Sequence, residues 1–311
     1  MAPPVVRARG LGRTFDATVA VEGLDLEVGK GEVFGLLGPN GGGKTTTVRM
    51  LGTLIAPTSG EAEVLGIPLG GEEAGERIRG RIGFLPEYHG LYDRLSAERN
   101  LDFHAQLYGM APADRKARIE QLLKALGVWD RKDNAVATFS RGMRQKIAIA
   151  RAVVHDPELV FLDEPTANLD PEATATVRTL ILDLRKEGRT VFVNTHNLDE
   201  AQRVCDRVGV LKRRLLALGT PSDLARQRRG MSTRIELKVP SPAVVQALRS
   251  SVPPDRVRVE GSSVLVAVDR PEEENPQLAQ VVVRAGGEIV SLREEEHGLE
   301  QLYLQLVGDA A

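Results

Sequence analysis

Gly38-Pro39-Asn40-Gly41-Gly42-Gly43-Lys44-Thr45 fits the spacing G-x-x-x-x-G-K-[ST] of a phosphate-cradling loop. The spacing has a physical reason. Glycines let successive backbone N–H groups curl around polyphosphate oxygens without a Cβ in the way. A helix starting at the end of the loop turns its positive pole toward the same oxygens. Lys44 then reaches the β- and γ-phosphates, and the Thr45 hydroxyl can ligate Mg²⁺. The flanks agree. Val33-Phe34-Gly35-Leu36-Leu37 reads as a short buried strand, and Thr46 to Leu54 as a helix with an apolar face. Strand, loop and helix in that order predict a nucleotide site along Gly38–Thr45, with Thr46 directly behind it.

Working outward, strands are predicted around Val5 to Arg9 and Leu24 to Val28, with Arg13-Thr14-Phe15-Asp16 between them. Ala56-Pro57-Thr58-Ser59-Gly60 breaks the chain, and strands are expected at Glu61 to Gly66 and Ile82 to Leu85. From Leu95 to about Ala125 the apolar period is helical, and a further helix is predicted from Ser140 to Val154. This block, about residues 88–155, reads as a helical subdomain inserted into an alternating strand–helix pattern. The alternation resumes with strands at 159–162, 190–194 and 208–211 and helices at 171–187, 198–204 and 221–229. That pattern predicts a parallel sheet covered by helices. Past Gly230 the style changes. Strands at 235–239, 257–259, 264–268 and 288–292 with helices at 243–250, 276–285 and 299–306 give βαββαβα, the order of a ferredoxin-like module. The expected division is 1–229 and 230–311.

Leu159-Val160-Phe161-Leu162-Asp163-Glu164 ends four apolar residues on two carboxylates. A buried parallel strand that stops this way puts both acids at the carboxyl edge of the sheet, where open α/β sheets bind ligands. Alone, the pair is a solvated turn. With a phosphate loop about 120 residues upstream, Asp163 is placed to hold Mg²⁺ and Glu164 to act as general base on a water.

Gly38 to Thr45, Ser140-Arg141-Gly142-Met143-Arg144-Gln145, Leu159 to Glu164 and Asn194-Thr195-His196 occur together in one order. That order resembles the nucleotide-binding subunit of an ATP-binding-cassette (ABC) transporter, over about residues 5–225. The tail resembles the extra domain of some drug- and antibiotic-exporter subunits. The resemblance implies an α/β P-loop NTPase cassette of the ABC type with an inserted helical subdomain, followed by a small α+β domain. It implies that Phe15 stacks on adenine and that Ser140 and Gly142 grip the γ-phosphate from a helix N-terminus. Asp170 would link two sites across a dimer, and His196 would contact the γ-phosphate. Two positions depart from the family pattern. The signature commonly reads Leu-Ser-Gly-Gly-Gln, whereas this chain has Phe139-Ser140-Arg141-Gly142-Met143. The Mg²⁺-touching glutamine falls at Glu87, whose carboxylate can ligate the metal but cannot donate an amide hydrogen bond. The resemblance further implies ATP hydrolysis in a head-to-tail pair of cassettes at the cytoplasmic face of the membrane. A separate multi-spanning permease would dock near residues 87–106.

Composition sets the bounds. A chain of 311 residues with 42% hydrophobic content is long enough for two domains of a soluble protein. A net charge of −2 argues against a nucleic-acid partner. The single cysteine, Cys205, forms no internal disulfide and is expected to be a packed residue in a reducing compartment. No uncharged run approaches the ~20 residues of a membrane helix. Two rival readings stand beside the exporter. One is a soluble ABC-type ATPase acting on ribosomes or DNA, against which the lone cassette and acidic balance count. The other is a non-hydrolysing regulator, against which Glu164 counts.

Overall fold

The computed structural model describes residues 3–87, 89–227, 231–239, 241–295, 303 and 306. The chain divides into two compact units that part after Thr220. In the first, Val6–Phe15 (β1) and Thr18–Val28 (β2) form a hairpin, Val33–Leu37 (β3) enters the glycine-rich loop and Lys44–Leu51 (α1) leaves it. Ser59–Val64 (β4), Ile67–Pro68 (β5), Glu72–Arg79 (α2) and Ile82–Leu85 (β6) follow. Ala97–Leu107 (α3), Pro112–Ala125 (α4) and Arg141–Val153 (α5) make the helical block. Leu159–Asp163 (β7), Pro171–Lys186 (α6), Thr190–Thr195 (β8), Leu198–Val204 (α7), Arg207–Lys212 (β9) and Arg214–Gly219 (β10) complete the unit.

Six strands form a sheet in the order β10-β9-β3-β8-β7-β6. It is parallel except at β10, which pairs antiparallel with β9. The register is marked by phenylalanine. Phe34, Phe192, Phe161 and Phe84 are direct partners across the four adjacent strands β3, β8, β7 and β6. Their ring centroids lie 5.1, 5.4 and 6.4 Å apart in sequence along the row. Each such pair adds about 0.5–1.5 kcal/mol beyond burial. A slip in any one strand would break the row. The parallel sheet was expected. A second, antiparallel sheet, β2-β1-β4-β5, was not, nor were β10 and α2. Leu11, Leu24 and Val64 of that sheet share one core with Val48 and Leu51 of α1 and with Phe34 and Phe161. Cys205 sits at the end of α7, where burial first and Asp206 second push its thiol up to about 12. It is an inert packed residue, as expected.

In the helical block, Ser96 caps α3 by accepting from the Arg99 N–H at 3.2 Å. Fully buried Asn100 ties down the loop before it, donating to the Tyr92, Leu95 and Ser96 carbonyls and accepting from the Tyr92 N–H. His104, on α3, meets the Phe103 ring edge-on, and the Tyr108 and His155 rings stack at 3.6 Å. Among the described residues no helix is long and apolar enough to cross a membrane.

In the second unit, Pro221–Gln227 (α8) precedes Met231–Leu237 (β11), Pro242–Ser251 (α9), Val257–Glu260 (β12), Ser263–Val268 (β13), Pro271–Arg284 (α10) and Ile289–Glu295 (β14). Its sheet is antiparallel, in the order β12-β13-β11-β14. Ile235, Leu237, Val264 and Val266 pack with Val244 and Leu248 of α9 and Leu278 and Val282 of α10. β11 starts four residues earlier than predicted and stops before Val239, which is exposed. Its inward row includes Thr233, whose hydroxyl bonds the buried Asn275 side chain, a polar position that an apolar pattern does not reveal. α10 starts at Pro271, ahead of the predicted Pro276. There Glu274 Oε1 accepts from the N–H groups of Asp269 and Arg270 at 2.7 Å each. Of the predicted final helix only residues 303 and 306 are described, both helical; the rest lies outside the described residues.

Burial chiefly, then Arg151 and His155, lowers the His104 pKa from 6.5 to about 4. The folded value lies below the unfolded one, so between them the unfolded chain binds the proton more tightly. Stability is therefore lost as pH falls from about 6.5 toward 4. His104→Gln should lose less of its melting temperature between pH 7 and pH 5 than the parent chain does. Parallel profiles for the two proteins would remove His104 as a source of acid sensitivity.

Candidate nucleotide site

The loop between β3 and α1 is shaped by what lies against it. A Cβ on Gly38 would stand 2.1 Å from the Leu211 carbonyl oxygen, and one on Gly43 would stand 2.5 Å from that of Ala20. Gly43 also takes φ +98°, where L side chains are strained. Arg213 N–H donates to the Gly42 carbonyl at 2.9 Å, so the β9–β10 turn holds the loop from outside. The helix begins at Lys44, two residues earlier than predicted. Lys44 is buried, and its Nζ donates to the Gly38 and Pro39 carbonyls at 2.7 and 3.1 Å. Burial pushes the ammonium below the usual lysine range. The negative charges of Glu164, Asp163 and Glu87 oppose the shift, in that order. All three carboxylates thus lie close enough to act on it.

The sheet register brings the acids to this loop. Asp163 is the last residue of β7 and is buried; Thr45 Oγ1 donates to its Oδ2 at 3.0 Å. Asn194, on β8, donates to Asp163 Oδ1 at 3.3 Å, while its own Oδ1 is buried without a partner. In the sequence Asn194 stands only as a near neighbour of His196, with no role of its own. Its place one strand from Asp163, just before Thr195-His196, was the available signal. Glu164 turns out of the strand with φ +50°, an uncommon conformation for a non-glycine residue. The Glu164 N–H is fixed by the Asn194 carbonyl at 2.9 Å. Its carboxylate sits 2.8 Å from His196 Nδ1 and 3.4 Å from the Thr195 hydroxyl. Lys44, Thr45, Asp163, Glu164 and His196 are therefore one connected group.

A cleft of about 730 Å³ opens beside it, with Asn40, Glu87, Glu164 and His196 facing Arg141 and Arg144. Ser140 and Gly142 do not line it. Ser140 caps α5 by accepting from the Met143 N–H at 3.3 Å, which leaves its hydroxyl hydrogen free to donate. Asp170 caps α6 through the Ala173 N–H at 2.8 Å. A Cβ on Gly142 would lie 3.3 Å from that of Ala173 and 3.6 Å from Asp170 Oδ2. These three residues form a second patch. Phe15 stands at the tip of the β1–β2 hairpin, 41% exposed, with the Arg13 guanidinium 4.6 Å from the ring centre.

Among the described residues no three His, Cys, Asp or Glu side chains gather to hold a metal unaided. The Thr45 hydroxyl and Asp163 carboxylate in mutual contact do fit Mg²⁺, which takes one or two protein oxygens and completes its shell with water and phosphate.

Residues 21–167 match the ABC transporter family. The linearmycin resistance ATP-binding protein of Bacillus subtilis is 32% identical over 309 residues, 98% of this chain and 98% of that protein. The daunorubicin/doxorubicin resistance ATP-binding protein of Streptomyces peucetius is 33% identical over 310 residues, 98% of this chain and 93% of that protein. Among solved structures, a dimeric ATP-binding cassette in a post-hydrolysis state bound to ADP and Pi is similar. It has a TM-score of 0.64 and 27% identity, over 69% of this chain and 98% of that one.

Gly43→Ala should cost roughly 2–4 kcal/mol, combining a forbidden φ with a backbone clash. Gly41 also has positive φ, but its added Cβ meets nothing within 4 Å, so Gly41→Ala should cost only about 1 kcal/mol. Urea midpoints compare the two. Equal losses would mean that the Ala20 carbonyl does not constrain the loop.

Proposed function

The chain belongs to the ABC transporter family, and on that premise we propose that it powers the export of drugs or antibiotics through a separate membrane permease. It is an ATP-hydrolysing subunit of a transporter. Two whole-length relatives carry resistance names and a third is named for Nod factor export, which supports export of hydrophobic compounds and leaves the ribosome or DNA alternative without support. The site residues act as follows. The backbone of Gly38 to Thr46 cradles the triphosphate. Lys44 trades its two carbonyl partners for β- and γ-phosphate oxygens. Thr45 and Asp163 would hold Mg²⁺, with Glu87 a further ligand, and the bound ion would neutralise charge on the leaving phosphate oxygens. Glu164 takes a proton from the attacking water as its oxygen bonds to the γ-phosphorus and the bond to ADP breaks. His196 orients that carboxylate and contacts the γ-phosphate. The Glu164–His196 contact of 2.8 Å above a buried Lys44 carries this reading.

Ser140, Gly142 and Asp170 border the cleft of their own chain without lining it, which supports a second copy that meets them in trans. A homodimer would then clamp two nucleotides, with the Phe15 ring stacking on adenine. The exposed pair Tyr92 and Phe103, rings 5.3 Å apart, lies within the segment proposed to meet the permease at the cytoplasmic face of the membrane. The nucleotide-binding domain expected over 1–229 corresponds to the unit that ends at Thr220, with α8 in the second unit. The βαββαβ order of residues 231–295 supports a ferredoxin-like accessory domain.

Glu164→Gln should keep ATP affinity and lower turnover by roughly 10²–10⁴; turnover at the parent rate would exclude Glu164 as the base. Lys44→Ala should weaken ATP binding itself in a calorimeter, and an unchanged affinity would contradict the cradle.

A further inference from the structure

Between the last residue of β6, Leu85, and Tyr92, the chain runs through Pro86, Glu87 and Gly90 with one hydrogen bond among the described residues. Arg151 Nη1 donates to the Gly90 carbonyl at 2.9 Å. Arg151 is half-buried and has no carboxylate partner among the described residues. The bond ties a half-buried helix residue to an exposed loop residue. Arg144 stands seven residues earlier on the same helix, hence on the same face. Its guanidinium bonds Asp93 at 2.6 Å and the Val136 carbonyl at 3.3 Å. One face of α5 thus grips the segment at Gly90 and again at Asp93. The same helix reaches the other acid. Gln145 Nε2 donates to the Pro165 carbonyl at 2.8 Å, next to Glu164. Its N-cap is Ser140.

We propose that Arg151, with Arg144, is a positioning clamp that fixes Glu87 relative to α5, so that the seating of the Ser140 end sets where the Glu87 carboxylate stands. The clamp rests on the reading of Glu87 as part of the nucleotide site. Arg151 does not line the cleft; it acts through the Gly90 carbonyl, three residues beyond Glu87. Gly90 suits the task, since its φ of +56° bends the segment at the point of capture.

The test uses the full chain. Arg151→Met keeps an unbranched apolar stem and removes the guanidinium donors. It should accelerate hydrogen exchange in the peptide spanning residues 86–95 without nucleotide, leave ATP affinity within about twofold, and lower kcat roughly tenfold. Arg151→Lys, which can still donate to Gly90, should recover most of the loss. In a Glu87→Ala background, Arg151→Met should add less than about twofold, because there is no carboxylate left to misplace. Equal losses in both backgrounds, or unchanged exchange at 86–95, would overturn the clamp. Should Arg151→Met fail to fold, Arg144→Gln gives the same comparison at the outer grip, with a smaller loss and the same dependence on Glu87 expected. Exchange data need no turnover, so a chain that hydrolyses nothing would sink the functional reading while the clamp is still judged on its own.

Discussion

The in-register row of Phe34, Phe192, Phe161 and Phe84 is the constraint on which the site depends. Strand register in a sheet buried on both faces is set by side chains, since backbone ladders tolerate a shift. Once these rings align, the strands end together. The phosphate loop leaves after Leu37, the acid pair after Leu162, the Thr195-His196 pair at the end of β8 and Glu87 just past Leu85. Four of the seven phenylalanines in the chain lie in this one row. A two-residue slip of β7 alone would move Asp163 by about 7 Å and take it out of reach of Thr45.

Around that edge, carbonyl groups do as much as side chains. The Leu211 and Ala20 oxygens press on Gly38 and Gly43, and Lys44 rests on the Gly38 and Pro39 carbonyls. The lysine is thereby held buried and hydrogen-bonded, with its charge opposed by three acids, which suits its proposed handover to phosphate oxygens. Preorganised charge of this kind needs little rearrangement during phosphoryl transfer. The outward turn at Glu164 follows the same logic, because Asn194 fixes its backbone and His196 its carboxylate.

The centre of the molecule is legible in the sequence and its periphery is not. Gly38 to Thr45 declares itself because few residue types satisfy a phosphate loop, and Leu159 to Glu164 because a buried parallel strand is a plain apolar run. α2 is hidden because only Ile78 and the small Ala74 among its side chains meet the core, too short a pattern to show a period. β10 is hidden because the turn before it carries neither glycine nor proline; Arg213 takes φ +61° itself. The second sheet depends on β1 meeting β4 some fifty residues on, which no local pattern records. Asn194 and Arg151 are missed for a related reason: each matters through a partner distant in sequence.

Glu164 holds its left-handed backbone at a cost of order 1–3 kcal/mol. Glycine or asparagine would sit there more comfortably, yet neither supplies a carboxylate. With Glu164 as the proposed base, directed evolution for heat resistance alone should therefore drift toward inactive sequences at this codon. A screen that couples survival to catalysis would have to find its gains elsewhere in the polypeptide.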